Sequence, residues 1–350
     1  MEKNSKHVHY SSIDGLRALS CLGIILMHIR ANTNYNLGGN FIFDRFIPSL
    51  TELVYLFLII SGFGMCVGYL NKFQTGSIDL EYFYKKRYKK ILPFFAFLLL
   101  IALVMEHDIK AIYEASIEAL LLHGLLPNNA ISVIGVAWTL GVIFLFYLLF
   151  PAFTVLMRTK RRAWLSLIVS IWVVFVCIQY FFSSYFVTKI FTPRHSFIFC
   201  LPMFIIGGIV YLYRIDIHNF CSKYRYFAYL LPIILCILWY FIPSHNKLLL
   251  YIGELCLFGT WLSYAVGIDG RFLSSRFMKF LSGISMEMYL AQMIIFRLVE
   301  KLNLLYIFGN SGLLGWISYL VAFILTVVGL IIFIYIFKFL VSLKKDKANI

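Results

Sequence analysis

Two side chains capable of anion and proton chemistry interrupt the first apolar run of this sequence. The stretch "DGLRALSCLGIILMHIR", residues 14–30, carries Arg17 and His28 among mostly apolar neighbours. An ionisable group within a bilayer costs about 2.5–3.5 kcal/mol even on the gentler scales, so its presence there is a functional hypothesis by default. Eleven residues separate the two. At about 3.6 residues per turn this is close to three turns, so a helix presents both on nearly one face, about 16 Å apart along its axis. Guanidinium offers a permanent anion-binding fork, and imidazole has the ordinary pKa best suited to general-base work near neutrality. Each residue alone also has a plain reading: Arg17 as an arginine snorkelling to water, His28 as an interfacial residue bonded to a neighbour. Their shared face favours a joint role, with an anion held at the cytoplasmic mouth and proton chemistry at the far end of one long ligand.

The chain that must position them is a membrane protein by composition. Of 350 residues, 61% are hydrophobic and 13% charged, against about 25% charged in soluble domains. Mean hydropathy is +0.86. The net charge of +15 would suit nucleic acid, but the basic residues sit in short loops between apolar runs. That pattern is topological, and no nucleic-acid partner is expected. The seven cysteines fall almost entirely in apolar runs without a C-x-x-C pair. They read as small buried hydrophobes rather than a disulfide framework or metal site. The first apolar run is too long for the core of a cleavable leader and lacks a small-residue cleavage site, so it is expected to stay as a span.

A crossing helix needs about 20 mostly apolar residues. Ten segments qualify: 12–31, 48–70, 91–105, 136–157, 164–182, 196–213, 226–242, 247–266, 277–298 and 313–341. The segment 109–126 carries Lys110, Glu114, Glu118 and His123, and its short apolar core predicts a surface or re-entrant helix. With Lys3 and Lys6 cytoplasmic, the clusters 85–90, 158–162, 213–225, 271–279 and 344–347 all fall inside, as the positive-inside rule asks. Arg30, Arg45, Lys110, Lys189, Arg194, Lys247 and Lys301 remain outside. The expected fold is all-α and polytopic, with about ten spans and both termini cytoplasmic. One integral membrane domain covers 1–350, with spans and loops over 9–343, a basic tail over 344–350 and no soluble domain.

Other polar residues inside the membrane bear on the same chemistry. "LFLIISGFGM" places Ser61 and Gly62 in the second span, where small residues also serve plain helix packing. Lys86, Arg87 and Lys90 precede Pro93, which reads as lying near a helix start; they are either a positive-inside cluster or a phosphate-binding group. Glu254, Glu287 and Gln292 occupy the last third. Glu287 is expected to face protein or a water-filled cavity, with Arg17 as a candidate partner.

The order of these segments resembles acyltransferase family 3, the bacterial multispan membrane O-acyltransferases of surface carbohydrates. "IDGLRALSCLGIILMH" is similar to the family's D-G-[LI]-R start and R-x10-H signature, placing Asp14, Arg17 and His28 in it. "ISGF" resembles S-G-[FY] and "KRYKKILP" the R-x-x-R-I-x-P segment. "AWTLGVIFLFYLLFP" is similar to W-S-L-x-V-E-x-x-F-Y-L-x-x-P, and "FLSGISMEMYLAQ" to G-x-x-S-Y-x-[LI]-Y-L-x-H. The chain departs from the pattern at Tyr55 and Ile143, each in place of an acid, at Met286 for tyrosine and at Gln292 for histidine. Lys90 stands for the second arginine.

The resemblance implies an acyl donor, usually acetyl-CoA, entering from the cytoplasm as a co-substrate, and a carbohydrate hydroxyl as acceptor. No permanently bound cofactor and no metal is implied, and the place is the bacterial cytoplasmic membrane. His28 and Arg17 are then the catalytic pair. Arg87, Lys90 and Lys86 bind the donor, and Asp14, Ser61, Trp138 and Glu287 support the pocket. The competing reading is a transporter or flippase of a lipid-linked or exported polysaccharide, weakened by the lack of an internal repeat. A catalytically dead scaffold is a third reading, to which the Ile143 and Gln292 changes lend weight.

Overall fold

The computed structural model describes residues 9–106, 108–125, 133–187, 191–243 and 245–348. The charge cues Lys3, Lys6 and Lys189 lie outside these residues, as do the side chains of 344–350. The regular structure is helical: α1 Ser11–Ala31, α2 Ile42–Gln74, α3 Leu80–Glu106, α4 Ile109–Ala119, α5 Trp138–Leu156 and α6 Lys160–Phe181. There follow α7 Phe197–Leu212, α8 Arg214–Lys223, α9 Arg225–Tyr240, α10 Lys247–Gly267, α11 Arg276–Lys301 and α12 Gly312–Ala348. Strand-like pairing among the described residues is confined to one bridge, Asn36 with Ser311.

Seven of these helices are long and apolar enough to cross a membrane, or eight if α7 and α8, bent by 68° at their junction, count as one span. Each of the ten expected segments is a helix. The two beyond that tally are α9, only 16 residues long, and α11, which carries charges such as Lys279, Glu287 and Arg297. The expected re-entrant segment forms α4, 11 residues or about 16 Å long, against a hydrocarbon core of about 30 Å.

Local chemistry sets several helix starts. Asp108, Thr159, Asn246 and Ser275 each accept a hydrogen bond from a backbone N–H of the first turn of α4, α6, α10 and α11, satisfying donors that a helix start leaves free. The start of α3 corrects the sequence reading. It begins at Leu80, so Pro93 lies well inside the helix. Lys, Arg and Tyr are compatible with helix, and Lys85 pairs with Glu81 one turn back, so the basic run extends the helix past its apolar part. Proline is tolerated within such a helix where neighbours re-satisfy the backbone.

The basic loops gather at one end of the bundle. There Ser12 donates to the Ile268 carbonyl at 2.9 Å, Gln74 to the Thr154 carbonyl at 3.4 Å, and Lys160 pairs with Asp216 at 2.6 Å. At the opposite end the Ser49 and Tyr240 hydroxyls share a hydrogen bond at 2.7 Å and Arg194 donates to Thr51 at 3.1 Å. The core is one buried cluster joining most of the helices. Two seams organise it, α2 on α7 and α1 on α11. In the first, a Cβ at Gly62 would collide with the Phe204 carbonyl and one at Gly207 with the Ile59 carbonyl, so reciprocal glycines let the backbones touch. In the second, Ser282 donates to Asp14 at 3.0 Å and Cys21 to the Ser285 carbonyl at 3.4 Å. α1 and α11 therefore run in the same direction.

Candidate functional site

The register of α3 decides which cations meet. Arg87, Lys90, Ile91 and Phe94 recur at three- and four-residue spacing, so they share one face, and all four line a cavity of about 290 Å³ between α1, α2, α3, α5 and α11. Lys86 is turned away. It is exposed, with its Nζ 5.7 Å above the Tyr82 ring, so the expected third donor-binding residue does not join the site. Arg17 reaches the same cavity from α1, Ser61 from α2 and Glu287 from α11. Ser61 faces the cavity while its neighbour Gly62 packs against α7; the two readings of that dipeptide apply to adjacent residues.

The cations are held by rings and few acids. The Arg87 guanidinium lies 4.4 Å from the centre of the Tyr69 ring and 5.2 Å from that of Tyr147, while its buried Nε has no hydrogen-bond partner. Arg17 feels the Asp14 carboxylate one turn back and the Tyr147 hydroxyl. Asp14 is not in the lining: it accepts from Ser282 and pairs with His9 at 3.1 Å, tying α11 to α1 below Arg17. Glu287 pairs with Lys338 of α12 at 3.9 Å, rather than with Arg17 as the sequence reading offered. Its carboxylate also acts on Lys90. The cavity thus holds three cations and one carboxylate already shared with a fourth cation. Such a set of side chains suits a multiply charged oxyanion, since charge-assisted hydrogen bonds to phosphate are the strong ones.

Toward its other end the cavity reaches Thr139 and Tyr289, whose hydroxyls share a hydrogen bond at 2.9 Å. His28 is not in the lining. Counting seven residues on from the Cys21–Ser285 contact brings His28 on α1 level with Gln292 on α11, about 10 Å farther along the axis. The cavity therefore does not run the length of α1 from Arg17 to His28, although their shared face predicts that it would: its lining reaches Thr139 and Tyr289 and stops short of His28. The imidazole of His28, half-buried, makes no hydrogen bond among the described residues.

A second polar cluster surrounds His28. The Arg194 guanidinium acts electrostatically on His28, Glu52, Tyr55, Glu254 and Tyr289. Its Nη1 donates to Thr51 and its buried Nε has no partner. Next to it His195 stacks on Trp138, ring centres 4.3 Å apart and 20° from parallel. Trp138 therefore belongs to this outer cluster and not to the cavity. Burial, reinforced by the Arg194 charge, pushes His195 down to about 4. Tyr55 stands where the family pattern carries an acid, and the Glu52 and Glu254 carboxyls act on its hydroxyl. Gln292, in the place of the late histidine, donates from Nε2 to the Tyr289 carbonyl at 2.9 Å and leaves Oε1 buried without a partner.

The sequence reading missed Arg194, His195, Glu52, Thr139 and Tyr147. Tyr147 had a signal, the tyrosine of the F-Y-L-x-x-P motif. Arg194 and His195 lie beside Pro193 at the head of an apolar run, where an arginine–histidine pair was the available cue. All seven cysteines are free thiols, five of them buried. No group of His, Cys, Asp or Glu among the described residues is placed to hold a metal.

Compared with known protein families, residues 10–335 match the acyltransferase domain of acyltransferase family 3. The chain belongs to this family. No curated protein and no solved structure gave a match. With its several apolar helices, this member of acyltransferase family 3 is a multi-pass membrane acyltransferase. The Arg17-to-His28 helix that opens the family pattern carries a residue of each polar cluster, Arg17 in the cavity and His28 beside Arg194, as α2, α5 and α11 also do.

Proposed function

We propose that this protein transfers an acyl group, acetyl in the first instance, from cytoplasmic acyl-CoA to a hydroxyl of a cell-surface or lipid-linked carbohydrate in the bacterial cytoplasmic membrane. In this reading all ten apolar helices cross the bilayer and both termini are cytoplasmic, which puts the basic end of the bundle inside. The observation that carries the proposal is the convergence of Arg17, Arg87 and Lys90 on one cavity at that end. A phosphate-bearing donor is the chemistry three cations beside one shared carboxylate suit. At about 290 Å³ the cavity is at the small end of ligand sites, roughly 300–1,000 Å³, so it fits part of the donor, with the thioester arm directed toward Thr139 and Tyr289.

In the proposed reaction the neutral His28 imidazole takes the proton from the acceptor hydroxyl as its oxygen attacks the thioester carbonyl carbon. The C–S bond then breaks, and the CoA thiolate leaves with the proton returned by His28. Arg194, whose charge reaches both His28 and the Tyr289 hydroxyl, would serve as the counter-charge to the negative charge developing on the thioester oxygen. The test is release of free CoA thiol by purified protein given acetyl-CoA and surface glycan. His28→Ala is expected to fold and insert but lose roughly 10²–10⁴-fold in rate. A wild-type rate in that variant refutes the base, and absence of thiol release with every glycan tried refutes acyl-CoA as donor to a glycan hydroxyl.

A further inference from the structure

A second hollow lies on the flank of the bundle and has no part in the proposed reaction. It measures about 710 Å³ and runs between α6, α7, α9 and α10, with α8 across one end. Its walls are apolar, set by Leu167, Ile209, Leu231 and Leu255. Along α10 the lining extends from Ile252 to Tyr264, about 18 Å at 1.5 Å per residue. One leaflet of a hydrocarbon core is about 15 Å deep, so the groove is as long as the chains of one leaflet. The 68° bend between α7 and α8 lays α8 over the groove's end instead of continuing the crossing.

That end is basic and aromatic. Lys160 holds Asp216 of the groove's lip at 2.6 Å and covers the Tyr213 ring at 4.1 Å. Trp164 donates from Nε1 to the Tyr213 hydroxyl at 3.1 Å. On the facing lip the Tyr264 ring packs on Tyr229 at 5.4 Å, and Arg225 donates to the Tyr229 hydroxyl at 3.4 Å. Over residues 158–162 and 213–225 the Arg and Lys side chains outnumber carboxylates seven to one, Asp216 being the single acid. Indole and phenol groups prefer the headgroup level, and basic pockets between membrane helices bind anionic headgroups.

We propose that this groove is a binding site for an anionic phospholipid of the leaflet on the basic side, its chains against α6, α9 and α10 and its phosphate between Lys160 and Arg225. The proposal stands apart from the acyl-transfer reading. Length selects a hydrocarbon chain, and the charge imbalance at the lip selects an anionic head over a zwitterionic one.

The test is native mass spectrometry of the full-length protein in mild detergent, titrated with phosphatidylglycerol and, separately, with phosphatidylcholine. The wild type is expected to hold one phosphatidylglycerol in preference to phosphatidylcholine. Lys160→Gln and Arg225→Gln should each weaken phosphatidylglycerol roughly fivefold and weaken phosphatidylcholine less, so that the preference between the two lipids shrinks. Lys279→Gln, at the same end but outside the groove, should change neither. Gly259→Trp fills the groove from α10 and should remove both lipids; Cys256→Phe, from an exposed position on the same wall, makes the same test if Gly259→Trp does not fold. Equal retention of the two lipids by the wild type overturns the proposal, as does a Lys279→Gln loss matching that of Lys160→Gln. Retention of phosphatidylglycerol by the filled groove overturns it too.

Discussion

Arg87 and Lys86 are neighbours in sequence with opposite expected fates, and that contrast tests the donor site most directly. Removing Arg87 takes away one of three cations of the cavity. A hydrogen bond to a charged group contributes about 1.5–3 kcal/mol, so Arg87→Ala should weaken CoA binding roughly 10- to 150-fold. Arg87→Lys keeps the charge but loses the planar fork. The expected loss is that of one ordinary hydrogen bond, about 0.5–1.5 kcal/mol, or roughly 2- to 12-fold. Lys86→Ala should leave affinity unchanged, because its ammonium faces Tyr82 on the outside of α3. The assay is calorimetric titration of CoA into detergent-purified protein, with thermal melting alongside. Melting is informative because Arg87 also packs on the buried Tyr69 and Tyr147 rings, contacts of about 0.5–2 kcal/mol each, which register in stability and not in binding. Equal dissociation constants for Arg87→Ala and Lys86→Ala, both folded, would show that α3 does not present Arg87 to the donor.

Three further outcomes follow from the geometry. Tyr289→Phe removes the hydroxyl partner of Thr139, which keeps its bond to the Val136 carbonyl; stability should fall by about 1 kcal/mol and acceptor-independent thiol release should rise, whereas an unchanged ratio of hydrolysis to transfer would show that the pair does not close the cavity. Gly62→Ala pushes a methyl into the Phe204 backbone and should cost about 1–3 kcal/mol in denaturation, while Gly64→Ala, with nothing within 4 Å, should be near neutral; similar losses would refute the backbone contact. His195, held down to about 4 against about 6.5 when unfolded, is protonated in the unfolded chain first. Its contribution is therefore constant above about pH 6.5 and becomes destabilising as pH falls toward 4, so the stability difference between wild type and His195→Gln should shift against the wild type between pH 7 and pH 5, and a pH-independent difference would contradict the burial.

The sequence carried the helices better than their partners. Hydropathy located all ten apolar segments, because burying backbone polar groups in lipid leaves helix as the available answer. It also marked Arg17, Arg87 and Lys90, since charge within or beside apolar runs is costly. It did not mark where α3 begins: Lys, Arg and Tyr outside the membrane carry no hydropathy signal yet continue the helix, and that extension separates Arg87 from Lys86. Arg194 read as an ordinary outer charge because its relation to His28 is made by packing the Pro193–His195 turn against the start of α2. For the same reason Glu287 was matched to Arg17, when Lys338 arrives from a helix 37 residues long at the far end of the chain. Such pairings belong to tertiary structure, and spacing along one chain does not encode them.

The parallel seam of α1 and α11 has a consequence for biogenesis. Ser282 meets Asp14 across 268 positions of chain. At roughly 5–20 residues per second the first helix therefore waits about 15–50 s in the bilayer before its main partner is made. Throughout that wait the cavity around Arg17 lacks its α11 wall and the cluster beside His28 lacks Tyr289. A nascent chain stopped before α11 exposes two of the least lipid-soluble groups it owns, and so presents to quality-control proteases a marker of incompleteness that the finished protein conceals.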